Sequence, residues 1–417
     1  MSIWHIHGER PLEGACFVQG AKNAALPIMA ASILCPARSE LMNVPRIADV
    51  RNTLAILRAL GCRAEQDGCD VSIDSAGLCS PAIPRTLMEG MRSSVIFLGA
   101  LLARCGEARI SMPGGCNLGA RPIDLHLSAL RDMGADIVES EKEIVCTAPK
   151  LHGAHIRFPI PSVGATENVL LAACAAEGET VIENAAREPE IEDLQEYLRR
   201  LGAEIGGAGT DTITVSGFSP GKAVGHRIMP DRIACATLLC AAAAAGGDIE
   251  LLGVVPQHFS TVTHLLSRAG CAIMTANRSV RLISDGRLSG VGQVSTGPYP
   301  SFPTDAQPLL MAALLRAEGI TEFTENIFEN RFRHVPELRR FGADVTAEAR
   351  HAVVCGVPSL HGAAVEAADL RGGAAMIVAG LAAAGDTLVL DDGYVARGYD
   401  GLDATLRRLG AEIRMEN

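Results

Sequence analysis

Cys116, Lys22 and Asp305 stand where packing alone does not call for them. Cys116 and Arg121 share the stretch MPGGCNLGARP, whose three glycines and two prolines rule out a stable helix or strand. A loop that sets a thiol beside a guanidinium poses the question whether Cys116 serves chemistry or packing. Lys22, in QGAKNAALP, is one of only four lysines among 37 basic residues and opens an apolar helix, where a compact point charge suits phosphate. Asp305, in FPTD, stands at another helix start. It reads equally well as an N-cap or as a general base among cations.

The elements that must position these residues repeat. LGCRAE, MGADIV, LGAEIG, AGCAIM, FGADVT and LGAEIR place Gly61, Gly134, Gly202, Gly270, Gly342 and Gly410 at separations of 68 to 73 residues. Six such units fill the chain, and a period of this length marks a supersecondary unit copied along it. Each glycine follows an amphipathic helix. In EPEIEDLQEYLRRLGAEI, Ile191, Leu194, Leu198 and Leu201 keep helical spacing, and Gly202 suits the position just past the helix end. A second helix in each unit is apolar nearly all round, as in RIACATLLCAAAAAGG, and must be buried. The unit reads strand, buried helix, strand, surface helix, further strand, which predicts sheets outside and helices inside.

Two sets of loops carry charge. The buried helices start at Ala21-Lys22-Asn23, Met91-Arg92, Ser162-Val163-Gly164, Pro230-Asp231-Arg232, Pro303-Thr304-Asp305 and Asp369-Leu370-Arg371. Four of these six supply a cation where free N–H groups and the helix dipole already favour anions. The loops after the next strand read NVPRIAD, PGGCNLGARP, NAAREPE, VVPQHFS, IFENRF and DDGYVARGYD, and five of the six contain an arginine. Any one of these cations could cap a helix or pair on the surface. Their recurrence points to a small molecule bearing phosphate or carboxylate.

The totals narrow the class. At 417 residues and 48% apolar content the chain is a well-packed protein of two or more domains. A net charge of −11 argues against broad nucleic-acid or anionic-membrane binding. Thirteen cysteines without a CxxC pair read as reduced thiols of a cytoplasmic protein. The N-terminus has no signal or transit pattern, and the apolar runs near Ile233–Gly246 and Ala374–Gly385 read as buried helices rather than membrane spans. GGAG (Gly206–Gly209) precedes a strand, not a helix, and is no nucleotide fingerprint; no P-loop is present. His5, His7, His152 and His155 lack partners at ligand spacing, so no metal is expected.

Taken together and in order, QGAKNAALP, MPGGCNLGARPIDLH, SVGATE, ENAAREPEI, MPDRI, FPTD, FENRFRHVPEL, ADLR and ARGY closely resemble the UDP-N-acetylglucosamine 1-carboxyvinyltransferases, a branch of the enolpyruvyl transferase family. The resemblance covers the chain from end to end. It implies an α/β fold: a two-domain inside-out α/β barrel of six βαβαββ-type repeats, three per domain. Residues 1–21 with 230–417 would form one domain and residues 22–229 the other, with the active site in the cleft between them. The implied substrates are phosphoenolpyruvate and UDP-N-acetylglucosamine, with no cofactor and no metal. The enolpyruvyl group would move to the sugar 3-hydroxyl, releasing phosphate and opening peptidoglycan synthesis.

Carried over by motif, Lys22, Arg121 and Arg397 would hold the phosphate, with Asn23, Arg92 and Arg371 nearby. Asp305 would take the hydroxyl proton. Cys116 would protonate the methylene carbon of phosphoenolpyruvate or form a covalent adduct with it. The nucleotide sugar would meet Arg92, Arg121, Pro122, Ile123, Asp124, Leu125, Ser162, Val163, Gly164, Asp305 and Ile327. The chain departs from the family pattern in places: Ile160 and Pro161 stand where a lysine is common, Gly372 and Gly373 replace Ala and Ser, and Ala396 replaces a frequent Asp. Two alternatives remain. The sister activity on shikimate 3-phosphate would share the fold but not the PGGC loop or RPIDLH. A non-catalytic repeat ring would explain the period but not why Lys22, Cys116 and Asp305 each break it.

Overall fold

The computed structural model describes residues 1–90, 92–111, 123–219, 221 and 223–416. Six apolar helices occupy the interior: α1 (Lys22–Ala31), α2 (Phe97–Cys105), α3 (Val163–Ala173), α4 (Arg232–Ala245), α5 (Gln307–Ala313) and α6 (Leu370–Ala382). Small side chains let them approach closely. A Cβ on Gly99 of α2 would lie 2.1 Å from the carbonyl oxygen of Asn168 in α3, so that crossing requires glycine.

Two of the six differ from their expected extent. Arg92–Ile96 winds as a 3-10 turn before α2, and a short helix, Arg85–Gly90, precedes it. Serine and β-branched residues there are weak helix formers. In the fifth repeat a 3-10 turn, Thr304–Ala306, leads into the seven residues of α5, whose Pro308 is tolerated only near a helix start. The surface helices end as expected. Gly61, Gly134, Gly202, Gly270, Gly342 and Gly410 all have positive φ, between 84° and 112°, which closes each helix at low steric cost.

The described residues form six sheets with one recurring order. Around α3, α5 and α6 the strand before the buried helix pairs in parallel with the strand after it, and two antiparallel strands complete the sheet, as in Gly292–Ser295, Ile320–Thr324, His351–Cys355 and Asp344–Glu348. Each of these three helices is therefore the crossover of a parallel βαβ unit. In the second repeat the leading strand shrinks to one bridge, Ala82 to Arg109, beside a three-stranded sheet.

The chain divides into two compact units, one of Met1–Gln19 with the chain from Pro230 onward, the other running from Gly20 to Met229. Each has its own apolar core. Strand pairing explains the discontinuity. Leu12–Phe17 precedes α1 but pairs with Gly247–Leu252, the strand after α4. Val224–Arg227 precedes α4 but pairs with Arg38–Met42, the strand after α1. The two crossings thus exchange leading strands between repeats.

Candidate active site

The three buried helices of the discontinuous unit begin alike and are used differently. Asp231 caps α4, its Oδ1 accepting from the N–H groups of Ile233 (2.8 Å) and Ala234 (2.9 Å). Asp369 caps α6 in the same way through Arg371 and Gly372. Asp305 is placed differently: it lies inside the 3-10 turn, whose N-cap is Pro303. Its carboxylate instead receives Arg331 Nη2 at 3.1 Å on Oδ1, and Arg371 Nη2 and Nε at 3.2 and 3.3 Å on Oδ2. The N-cap reading of Asp305 is overturned because the added 3-10 turn carries the residue past the capping position.

Those guanidiniums are 1% and 3% exposed, so their charges need a buried anion. Burial by itself would lower the Arg371 pKa, but Tyr399, Asp305 and Asp231 more than offset it and hold the guanidinium protonated. Arg371 also lies over the Tyr399 ring at 5.3 Å, and the Tyr399 hydroxyl is 2.8 Å from that of Thr237 in α4. His334, under Gly372, is kept neutral: burial pulls its pKa down to about 4, with Asp369 opposing and Arg331 adding to the shift.

Glu325, fully buried, fixes the surrounding loops. Its Oε2 accepts from the Thr304 hydroxyl at 3.0 Å, and its Oε1 from the N–H groups of Ile327 and Phe328 at 2.8 and 3.1 Å. The turn of Asp305 and the exposed Ile327 are thereby set by one carboxylate. Arg397 lies half-buried in the 3-10 turn Val395–Arg397, packed on the first turn of α6. A Cβ on Gly373 would lie 2.9 Å from Val395 Cγ2 and 3.0 Å from Ala367 Cβ, which accounts for the glycine there.

In the other unit Lys22 is the first residue of α1, buried, with Nζ 2.6 Å from Asp49 Oδ2. No side chain caps α1, and Asn23 stands exposed next to Lys22. Gly20 is obligatory just before: a Cβ would sit 1.7 Å from the carbonyl oxygen of Asn43. Two further predicted segments come together. Asp124 and Leu125 open the surface helix Asp124–Asp132, with Ile123 before it, while Ser162, Val163 and Gly164 start α3. His126 packs on Gly164, and Asn168 Nδ2 donates to His126 Nδ1 at 2.7 Å. Ser162 caps α3 by accepting from Ala165 N–H at 3.4 Å. Burial, partly opposed by Asp124, lowers the His126 pKa to about 4.

Cys116, Arg121 and Pro122 lie outside the described residues, and of Arg92 only the backbone, opening its 3-10 turn, is described. Arg331, Glu325 and Asp49 were not expected. Arg331 had a signal, as the arginine of the IFENRF loop in the same series as Arg397. The series is not uniform: Arg187 is exposed and reaches Asp211 only at 4.0 Å. The link from Asp49 to Lys22 and that from Glu325 to Thr304 had no local signal, since each joins residues distant in sequence.

This repeat fold is that of the enolpyruvyl transferases. The crystal structure of the enolpyruvyl transferase NikO from Streptomyces tendae superposes with a TM-score of 0.89 at 26% identity, covering 99% of this chain and 98% of that one. EPSP synthase from Acinetobacter baumannii shares the fold, with a TM-score of 0.74 at 21% identity over the whole of both chains. A family model described as EPSP synthase (3-phosphoshikimate 1-carboxyvinyltransferase) matches residues 6–414, and the chain belongs to this family. Within it, the chain is 47% identical to the UDP-N-acetylglucosamine 1-carboxyvinyltransferase of Myxococcus xanthus strain DK1622, over 99% of this chain and 98% of that protein. It is 46% identical to the enzyme of the same name from Geotalea uraniireducens strain Rf4, over 98% of both. The resemblance drawn from the motifs is borne out. Among the described residues no helix is long and apolar enough to cross a membrane.

Proposed function

We propose that this chain is a cytoplasmic enzyme that transfers the enolpyruvyl group of phosphoenolpyruvate to the 3-hydroxyl of UDP-N-acetylglucosamine, releasing phosphate, as the first committed step of peptidoglycan synthesis. The observation that carries the chemistry is Asp305, a carboxylate that forgoes helix capping for two buried guanidiniums. The choice of acceptor is supported by relatives named for that reaction, 44–47% identical over nearly full length.

In the addition step the sugar 3-oxygen bonds to C2 of phosphoenolpyruvate while Asp305 takes the hydroxyl proton. Cys116 gives a proton to C3, and C2 becomes a ketal carrying both carboxylate and phosphate. In the elimination step a proton leaves C3, the bond from C2 to the phosphate oxygen breaks, and phosphate departs. Lys22, Arg121 and Arg397 hold the phosphate, with Asn23 and Arg92 nearby. Arg371, with Arg331 beside it, meets further negative charge. Charge gathered on one carbon is where fixed cations stabilise the transition state more than the ground state. An anion that takes over a guanidinium also frees Asp305 to accept a proton. Ile123, Asp124, Leu125, Ser162, Val163, Gly164 and Ile327, with Arg121 and Pro122, line the nucleotide-sugar side.

A coupled phosphate-release assay tests the reading. Release should require phosphoenolpyruvate together with UDP-N-acetylglucosamine. Release with shikimate 3-phosphate instead, or with no acceptor, overturns it.

A further inference from the structure

The turn that carries Arg397 is held from both sides. Upstream, the buried Asp391 accepts from the N–H groups of Tyr394 at 2.7 Å and Val395 at 3.2 Å. Downstream, the partner comes from the other end of the chain. Gln19 Nε2 donates to the Gly398 carbonyl at 3.0 Å, and Gln19 Oε1 accepts from the Asp400 N–H at 2.8 Å. The backbone carbonyl of Gln19 also accepts from the N–H of Asp231, the cap of α4, at 2.9 Å. Gly398 itself presses on α6, where a Cβ would lie 2.8 Å from a methyl of Leu370.

A carboxamide has separate donor and acceptor atoms, so one side chain can take a carbonyl and an N–H two residues apart. Ala396, next to Arg397, brings no polar side chain of its own to hold the turn. We propose that Gln19 is a positioning residue for Arg397, ordering its turn before the phosphate of phosphoenolpyruvate arrives; this rests on the role given to Arg397 above. Ordering the loop in advance lowers the entropy lost when the anion binds. The motif QGAKNAALP thus serves phosphate twice, through Lys22 directly and through Gln19 at a distance.

The test is Gln19→Met, which keeps the length and removes both hydrogen bonds. Native protein is digested briefly with trypsin, and cleavage after Arg397 is quantified by mass spectrometry against the other arginine sites. Steady-state constants for both substrates and the melting temperature are measured alongside. We expect cleavage after Arg397 to rise at least about fivefold and KM for phosphoenolpyruvate about tenfold, the scale of two lost hydrogen bonds. KM for UDP-N-acetylglucosamine should stay within about twofold. Gln19→Glu, which keeps the acceptor for Asp400 but turns a carboxylate oxygen on the Gly398 carbonyl, should raise cleavage and KM for phosphoenolpyruvate at least as far. Unchanged cleavage means that Gln19 does not hold the turn. Faster cleavage with unchanged KM means that the turn does not serve phosphoenolpyruvate. Equal rises in both KM values with a lowered melting temperature would reduce the residue to general support. Should the parent protein lack transferase activity, the functional reading fails and the phosphoenolpyruvate half of the proposal with it, while cleavage still decides whether Gln19 holds the turn.

Discussion

Asp305 and the two guanidiniums it holds show how one side chain can be read correctly in type and ambiguously in use. Its partners lie 26 and 66 residues away, beyond any local pattern. Asp305→Asn keeps the shape and an acceptor for the guanidiniums but removes the base. Turnover should fall more than tenfold, roughly 1.4 kcal/mol in barrier; a smaller loss in folded protein would take Asp305 out of the proton transfer. His126 gives a prediction about acid. Its folded pKa is about 4 against 6.5 for the free side chain, so between those values the unfolded chain binds the extra proton. Stability should therefore fall as pH drops through that window and be unaffected by this residue above it. Urea unfolding at pH 7 and pH 5 checks this: His126→Gln should lose less on acidification than the parent, and an equal loss in both would show that His126 is not the group responsible. Part of the acid sensitivity should survive, because His334 in the other unit is held near 4 as well.

At the scale of elements, the buried helices meet through backbone as much as through side chains. Asn168 of α3 ties three pieces together: its Oδ1 accepts from Gly99 N–H of α2 at 2.7 Å, and its Nδ2 donates to Val95 O at 3.1 Å and to His126. In an exposed helix Gly→Ala gains up to about 1 kcal/mol from propensity. At Gly99 the methyl would strike the Asn168 carbonyl, so Gly99→Ala should instead destabilise by about 2 kcal/mol or more, read as a shifted urea midpoint at unchanged slope. A neutral or stabilising result would mean that α2 and α3 can slide apart. Glu325 plays the corresponding part among loops. Thr304→Val severs its link to the Asp305 turn and should lower kcat by about tenfold while leaving the melting temperature nearly unchanged; wild-type kcat would show that the turn keeps its shape without Glu325.

At the scale of the whole molecule, the exchanged strands make one unit depend on the first residues of the chain. Ser2–His7 lies between Asp386–Asp391 and Glu412–Glu416, and among the described residues the latter is an edge strand paired with Ser2–His7. Deleting residues 2–17 removes that strand and the parallel partner of Gly247–Leu252. The deletion should abolish the cooperative unfolding of the unit built from residue 230 onward, followed by circular dichroism, while the Gly20–Met229 unit keeps its transition. An unchanged two-unit melt would show that the amino-terminal strands are dispensable.

The sequence by itself determined the sixfold unit, the buried helices, the six glycines that end the surface helices, and the family. These follow from spacing within one or two turns and from short motifs, which need no knowledge of what lies across the fold. It also brought forward Lys22, Asp305, Arg371 and Arg397, because they sit at recurring positions where charge is unusual. Only the tertiary structure decided that Asp305 binds the guanidiniums of Arg331 and Arg371, that Asp49 pairs with Lys22 and Glu325 with Thr304, and which leading strands are exchanged between repeats. Gln19 is the extreme case, acting on residues 379 and 381 positions away. Hydrogen bonds and ion pairs are made by whatever groups the packed chain brings within about 3 Å, and helical periodicity carries no information about partners at such separations.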